Sequence, residues 1–208
     1  PTAAPLLPCA VRFWANTRAA LVSMAPAAVV LERAPVEEAG GNSRYTAGAM
    51  RVVFNGVEDL VGIMPDLTDD ERENVDFGTY TRDQYFDDLG RICQYRSDPD
   101  LAEILIDRSY ETMKWMREKR VKFSPSYGRQ AFKVDGKFKF WGGLAVEVWG
   151  GGPGLVEALT EALRENDIEL LYETRGMSLI EDETGIVGVV ARQGRTVSYT
   201  HLPAHDTH

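Results

Sequence analysis

Histidine is absent from the first 200 positions: His201, His205 and His208 all lie at the end of the 208-residue chain. That excludes Ser-His-Asp and Cys-His catalysis, and most zinc hydrolase arrangements, from residues 1–200. Cysteine is scarce too. Cys9 and Cys93 are too few and too far apart for a disulfide framework or a zinc site, and a reducing cytoplasm is the expected compartment. Basic residues are outnumbered, with 23 Lys and Arg against 32 Asp and Glu and a net charge of −9. Nucleic acid is therefore not an expected partner, because its binding depends on neutralising phosphates. No apolar run reaches the ~20 residues that span a bilayer. The opening segment, Pro1 to Ala28, carries Arg12 and Arg18 and does not read as a secretory signal. If the chain takes part in chemistry, a bound cofactor is the natural agent.

What is present is ordinary for a globular protein, 44% hydrophobic and 26% charged. Residues 1–28 show no sustained period of 3.6 or 2. Ala28 to Arg33 is a short β-branched run that reaches the acidic Glu32, and Ala39-Gly40-Gly41-Asn42-Ser43 is a turn-forming cluster. The charge-dense stretch Asp66 to Asp76 reads as a solvated loop or a frayed helix. Thr81-Arg82-Asp83-Gln84 has capping-box spacing and starts a helix toward Ile92. Asp98-Pro99 starts another, on which Leu101, Ile104, Leu105, Met113 and Met116 form an apolar stripe expected to face the core. Asp135-Gly136 marks a hairpin. Gly150 to Gly154 opens a helix with inner face Leu155, Val156, Leu159 and Leu163. A buried strand at Ile168–Tyr172 follows, then two more, Met177–Ile180 and Ile186–Ala191, around a turn at Asp182–Gly185. The order implies an α/β nucleotide-binding layer with a small antiparallel addition.

Three features converge on a dinucleotide. An acidic side chain at the end of the second strand of a doubly wound fold accepts hydrogen bonds from ribose hydroxyls, and Glu32 has that place. Adjacent Gly40 and Gly41 let backbone approach a ligand without a Cβ in the way, while Asn42 and Ser43 offer hydrogen bonds. The Gly150–Gly154 run opens onto a helix whose free N–H groups would face an anion. Taken singly, each also reads as an exposed strand end, a generic turn, or a plain strand-to-helix connection.

Together these residues resemble a known family. LERAPVEEAGGNSRYTAGAMR is similar to the second-strand and flavin-loop signature of the fumarate reductase and succinate dehydrogenase flavoprotein superfamily. DPDLAEILIDRSYETMKWM and WGGGPGLVEALTEALRENDIELLYETRGMSLIEDETGIVGVVAR resemble the segments before and after its second glycine loop. GGNSRYT and the GGG-x-x-LV element match the tricarballylate dehydrogenase type best. The similarity covers about residues 28–195. It implies a Rossmann-like FAD-binding domain of the glutathione-reductase type, with a helical insert and a small β-meander. It also implies a hydride transfer between FAD and a small di- or tricarboxylate, with an electron-transfer partner. A 3-ketosteroid dehydrogenase-like flavoenzyme is the alternative, as is a non-catalytic remnant that binds no cofactor.

By the same resemblance Glu32 binds the adenosine ribose, Gly40, Gly41, Asn42 and Ser43 line the pyrophosphate and flavin, Ala47 and Gly48 pass close to the isoalloxazine, and Gly176 approaches the adenine. Asn42 stands where some relatives attach the flavin through a histidine, so non-covalent FAD is expected. The Gly-x-Gly-x-x-Gly loop about twenty residues before Glu32 is missing, since Pro8 to Pro26 holds no glycine, and segment 1–28 reads as a disrupted frame. TVSYTHLPAHDTH, residues 196–208, resembles a translated sequencing adapter and is expected to be a non-native tail, so its histidines are not read as a metal site. Residues 29–195 form a partial FAD-binding domain on this reading. The capping domain that supplies the family's catalytic arginine and substrate-holding groups falls after it, so no catalytic residue is assigned.

Overall fold

The computed structural model describes residues 28–194 and 196–201, so the expectations for residues 1–27 and 202–208 fall outside it. In chain order the helices are α1 Gly41–Arg44, α2 Val57–Ile63, α3 Asp69–Asn74, α4 Arg82–Ile92, α5 Pro99–Glu118, α6 Tyr127–Gln130 and α7 Gly151–Glu165. The strands are β1 Val29–Leu31, β2 Ala49–Met50, β3 Val75–Asp76, β4 Phe123–Pro125, β5 Ala131–Val134, β6 Lys137–Phe140, β7 Val146–Val148, β8 Glu169–Leu171, β9 Thr174–Asp182, β10 Gly185–Gln193 and β11 Thr196–His201. The described residues fall into two compact units, those up to Gly41 together with those from Thr160 onward, and residues 42–159.

In the first unit β1 and β8 pair in parallel, Val29 opposite Glu169 and Leu31 opposite Leu171. Parallel neighbours cannot be joined by a tight turn, and here the whole second unit intervenes in sequence. β8 was expected to be buried, yet Glu169 is exposed and Leu170 and Leu171 are half-buried. β9, β10 and β11 form the antiparallel meander, with β10 in the middle. Its first turn is stapled by Asp182, whose carboxylate accepts the N–H of Thr184 at 2.7 Å and its hydroxyl at 2.6 Å. β11 pairs with β10 from Gln193 opposite Thr196 to Gly188 opposite His201. Thr196 to His201, read from the sequence as the start of a foreign tail, thus takes a regular strand place.

The second unit is the insert. Its core gathers Val52, Phe54, Leu60, Ile63, Met64, Ile106, Val121 and Val146, all essentially inaccessible to solvent. Two three-stranded sheets contribute to it, ordered β2-β7-β4 and β3-β6-β5. The expected helix starts are in place. Thr81 and Gln84 close a capping box on α4, and Thr68 and Glu71 do the same on α3 within the charged stretch. Asp98 caps α5, accepting the N–H groups of Asp100 and Leu101. Asp135 and Gly136 both have positive φ, the conformation a type I′ hairpin turn requires.

The apolar stripe assigned to α5 divides. Met113 is 3% exposed and belongs to the core, whereas Leu101, Ile104 and Leu105 are 65%, 55% and 52% exposed. The buried face runs through Ala102, Ile106, Ser109 and Met113 instead. The 3.6-residue period is satisfied by both faces near the helix start, and the small Ala102 and Ser109 on the inner one hid it from a hydrophobicity reading. No helix among the described residues is long and apolar enough to cross a membrane.

Candidate FAD-binding residues

Glu32 follows β1 directly, and its half-buried carboxylate accepts two backbone N–H groups. Oε1 takes that of Ala34 at 2.7 Å, and Oε2 takes that of Gly40 at 3.0 Å. These bonds close the segment from Glu32 to Gly40 into a loop, which includes a 3₁₀ turn at Val36–Glu38. A carboxylate offers about four lone-pair positions, so two are left by the described residues for other donors. Gly41 has φ +53, and a Cβ built on it meets nothing within 4 Å. Its bare backbone therefore borders open space. The carbonyl of Glu32 accepts the N–H of Thr174 at 2.8 Å, and the carbonyl of Ala34 accepts that of Glu173 at 3.0 Å. The start of β9 is thereby laid along the end of β1. Gly176, two residues further, is exposed, and a Cβ there would only touch Val189 at 3.9 Å. Within this unit the structure brings Glu32, Gly40, Gly41 and the strand of Gly176 to one edge.

Asn42, Ser43, Ala47 and Gly48 belong to the second unit. The side chains of Asn42 and Ser43 are exposed and make no hydrogen bond to another described residue. The loop they open lies on the glycine turn before α7. Gly152 donates its N–H to the carbonyl of Thr46 at 2.9 Å, and Val148 donates to the carbonyl of Gly48 at 2.9 Å. A Cβ on Gly152 would sit 2.0 Å from the Ser43 carbonyl oxygen, and one on Gly48 would sit 3.0 Å from Gly151 Cα. The Gly150–Gly154 run was expected to offer its N–H groups to an anion. Its observed use is different: Gly151 and Gly152 let the Ser43–Gly48 backbone come into direct contact, and the Gly152 N–H is taken by Thr46. Glycine spacing alone does not distinguish a cradle for phosphate from a bed for another loop.

The family model for the FAD binding domain matches residues 18–204. The chain belongs to that family. FAD is accordingly its cofactor. No curated protein matches the chain. Among solved structures, a flavocytochrome c3 fumarate reductase in its open conformation is similar over 84% of this chain and 27% of its own, at 19% identity and a TM-score of 0.57. The 3-ketosteroid-Δ4-(5α)-dehydrogenase of Rhodococcus jostii RHA1 covers 84% of this chain and 38% of its own, at 18% identity and a TM-score of 0.57. The 3-ketosteroid Δ1-dehydrogenase of Sterolibacterium denitrificans covers 85% and 42%, at 11% identity and a TM-score of 0.54. At those identities the likeness concerns the fold: a mixed α/β FAD-binding domain, of which this chain spans well under half of each relative's length.

The residues present fit FAD. The lone pairs left on Glu32 suit hydroxyl donors, the open backbone at Gly41 suits a close-lying phosphate or ring, and the side chains of Asn42 and Ser43 are uncommitted within the described residues. No group of three or more His, Cys, Asp and Glu that could hold a metal ion is clustered among the described residues.

Sequence reading missed a second polar centre, in the insert. Arg51 donates to the Tyr80 hydroxyl at 2.8 Å, to Asp88 Oδ2 at 2.9 Å and to the Gly142 carbonyl. Tyr80 donates to Asp88 Oδ2 at 2.9 Å, and Arg91 donates to Asp88 Oδ1 at 2.6 Å. Burial pushes the Tyr80 hydroxyl up, Asp88 adds to the push and Arg51 opposes it, leaving it raised to about 12. Burial also pushes the Asp88 carboxyl up, but hydrogen bonds from Tyr80 and Arg91 and the charges of Arg51 and Arg91 outweigh it and hold the carboxyl below its usual range. Tyr80 and Asp88 border a groove of about 460 Å³ with Phe77, Phe132, Phe140 and the Lys139–Asp76 pair. The partners of Arg51 lie 29 to 91 residues from it in sequence, so no local spacing brings it to the Tyr80–Asp88 pair. Gly143 gives the one trace: a Cβ there would fall 2.1 Å from the Tyr80 ring.

Proposed function

We propose that this chain is the FAD-binding part of a dehydrogenase or reductase that moves a hydride between FAD and a small di- or tricarboxylate of the tricarballylate or fumarate kind. FAD supplies the hydride-accepting ring when bound. In this reading the Glu32 carboxylate accepts the ribose hydroxyls, held in place by Ala34 and Gly40. The Gly40–Gly41 backbone takes the pyrophosphate side, and Asn42 and Ser43 donate to the cofactor from the exposed loop. Ala47 and Gly48 present backbone to the isoalloxazine, and the strand of Gly176 approaches the adenine. Residues that position substrate and transfer its proton belong to a capping domain. The observation that supports the reading is Glu32 itself, a half-buried carboxylate at a strand end with half its acceptor capacity unused by the described residues, beside Gly41, where a Cβ would meet none of them within 4 Å.

Asn42 offers no imidazole to the flavin, so attachment is non-covalent. After acid precipitation of the FAD-loaded protein, the flavin should stay in the supernatant, and flavin in the pellet would contradict the assignment. The substrate class is tested in a form of the protein that includes the capping domain. Anaerobic tricarballylate or succinate should bleach the flavin band, and a 3-ketosteroid should not. Bleaching by the steroid alone would favour the steroid dehydrogenase alternative, for which the similarity of fold is as good. A remnant without cofactor is the reading favoured by the glycine-free stretch Pro8–Pro26, and it requires that FAD is never retained. An electron-transfer partner and a cytoplasmic location belong to the same proposal.

A further inference from the structure

We infer that Thr46 is a positioning residue for FAD, through a hydroxyl that fixes the backbone of the loop expected to face the flavin. The inference rests on the proposed function and deepens it. The Thr46 Oγ1 donates to the Ser43 carbonyl at 2.9 Å and accepts the N–H of Gly48 at 3.2 Å. The Thr46 carbonyl accepts the N–H of Gly152 at 2.9 Å. One residue therefore joins the first part of the loop (Ser43), the last part (Gly48) and the glycine turn beneath it.

Other contacts set limits on where the loop can go. The Ser43 carbonyl oxygen lies 2.0 Å from where a Cβ of Gly152 would be, and a Cβ on Gly48 would crowd the Gly151 backbone at 3.0 Å. The lower side of the loop is thus fixed by backbone contacts that any residue at position 46 would allow. Within the loop, Tyr45 donates its N–H to the Asn42 carbonyl at 3.1 Å and Thr46 donates to the Ser43 carbonyl at 3.3 Å, which shapes the first half; among the described residues no backbone bond joins Thr46 to Gly48. Gly48 has φ +78, and a glycine in that region has little conformational preference of its own. The Thr46 hydroxyl is the only side-chain group among the described residues that bonds to the Gly48 N–H, and it sets the direction of the Ala47–Gly48 peptide. Thr46 itself is exposed. Preorganising a loop in its bound shape lowers the ordering cost on binding.

The test uses the full 208-residue chain, with Thr46→Val removing the hydroxyl at nearly constant shape and Thr46→Ser retaining it. Two quantities are read: FAD affinity by spectral titration, and amide hydrogen exchange at Gly48 in the cofactor-free protein. The expected result for Thr46→Val is about tenfold weaker FAD binding, the worth of roughly one hydrogen bond, with faster exchange at Gly48. Thr46→Ser should restore both. Unchanged affinity and exchange in Thr46→Val would overturn the inference, as would a Thr46→Ser variant damaged equally, which would assign the effect to the lost methyl. If the parent chain binds no FAD, the proposed function fails by that result alone. The exchange comparison then still decides: faster exchange in Thr46→Val, rescued by serine, keeps the loop-fixing role, and equal exchange removes it.

Discussion

The carboxylate of Glu32 holds the backbone N–H of Gly40, eight residues away, at 3.0 Å. That bond links the acidic strand end to the glycine pair whose backbone lies open at Gly41, so the two earliest elements of the dinucleotide signature form one small structure. A charge-assisted bond of this kind is worth about 1.5–3 kcal/mol. It sets the loop before any cofactor arrives.

On the proposed function, replacing Glu32 removes both an acceptor for the ribose and the bond that holds its loop. Glu32→Gln keeps the shape but turns one acceptor oxygen into a donor facing an N–H group. FAD affinity should fall by about 10- to 100-fold, read by titration of the flavin spectrum. Binding equal to that of the parent chain would mean that Glu32 does not meet the ribose.

Gly152→Ala should destabilise the insert, because its Cβ would press on the Ser43 carbonyl, and backbone cannot step aside cheaply. Overpacking of this sort costs about 1–3 kcal/mol. Gly128→Ala is the matched control: it lies in α6 and its Cβ would meet nothing within 4 Å. Urea midpoints for the two variants should differ in that order. Equal midpoints would show that the Asn42–Gly48 loop is free to lift from the turn.

Local signals carried much of this fold in the sequence. The capping residues Thr81 and Asp98, the Asp135-Gly136 turn and the Asp182–Gly185 turn each act within a few residues, and each stands where expected. What was illegible depends on distance or on direction. The Arg51–Tyr80–Asp88 centre is assembled from separate segments, the sheet β2-β7-β4 from strands of two or three residues. The outward turn of Leu101, Ile104 and Leu105 could not be seen because an apolar stripe says which residues share a face, not what the face meets. Among the residues proposed to meet FAD, Glu32 and the glycines are candidates by type and spacing. Thr46 is not, since its role lies in hydroxyl bonds across a loop.

The two faces of α5 give a contrast on one helix. Leu105→Lys should change stability by no more than about 0.5 kcal/mol, whereas Ile106→Ala, at 0% exposure, should cost about 2–5 kcal/mol. Chemical denaturation of both variants measures the difference. A large loss in Leu105→Lys would place that face against something.

Tyr80 makes stability fall at alkaline pH. Its hydroxyl is raised to about 12 in the folded chain, against about 10 when unfolded. Below pH 10 both states keep the proton and nothing is lost. Between pH 10 and 12 the unfolded state releases its proton first, so stability declines as the pH rises. Tyr80→Phe should flatten that part of the profile. Asp88 works in the opposite range, because its carboxyl is held low by Tyr80, Arg91 and Arg51. Its contribution is present above the ordinary aspartate value and is lost as the pH falls through the lowered one. A profile in Tyr80→Phe as steep as in the parent would contradict the assignment.

The most direct test of the account is the absorbance spectrum of the 208-residue chain after incubation with FAD and desalting. Flavin bands near ~450 nm, a property of the cofactor, should be retained in near-stoichiometric amount. A desalted protein that is folded by circular dichroism and carries no flavin would contradict it.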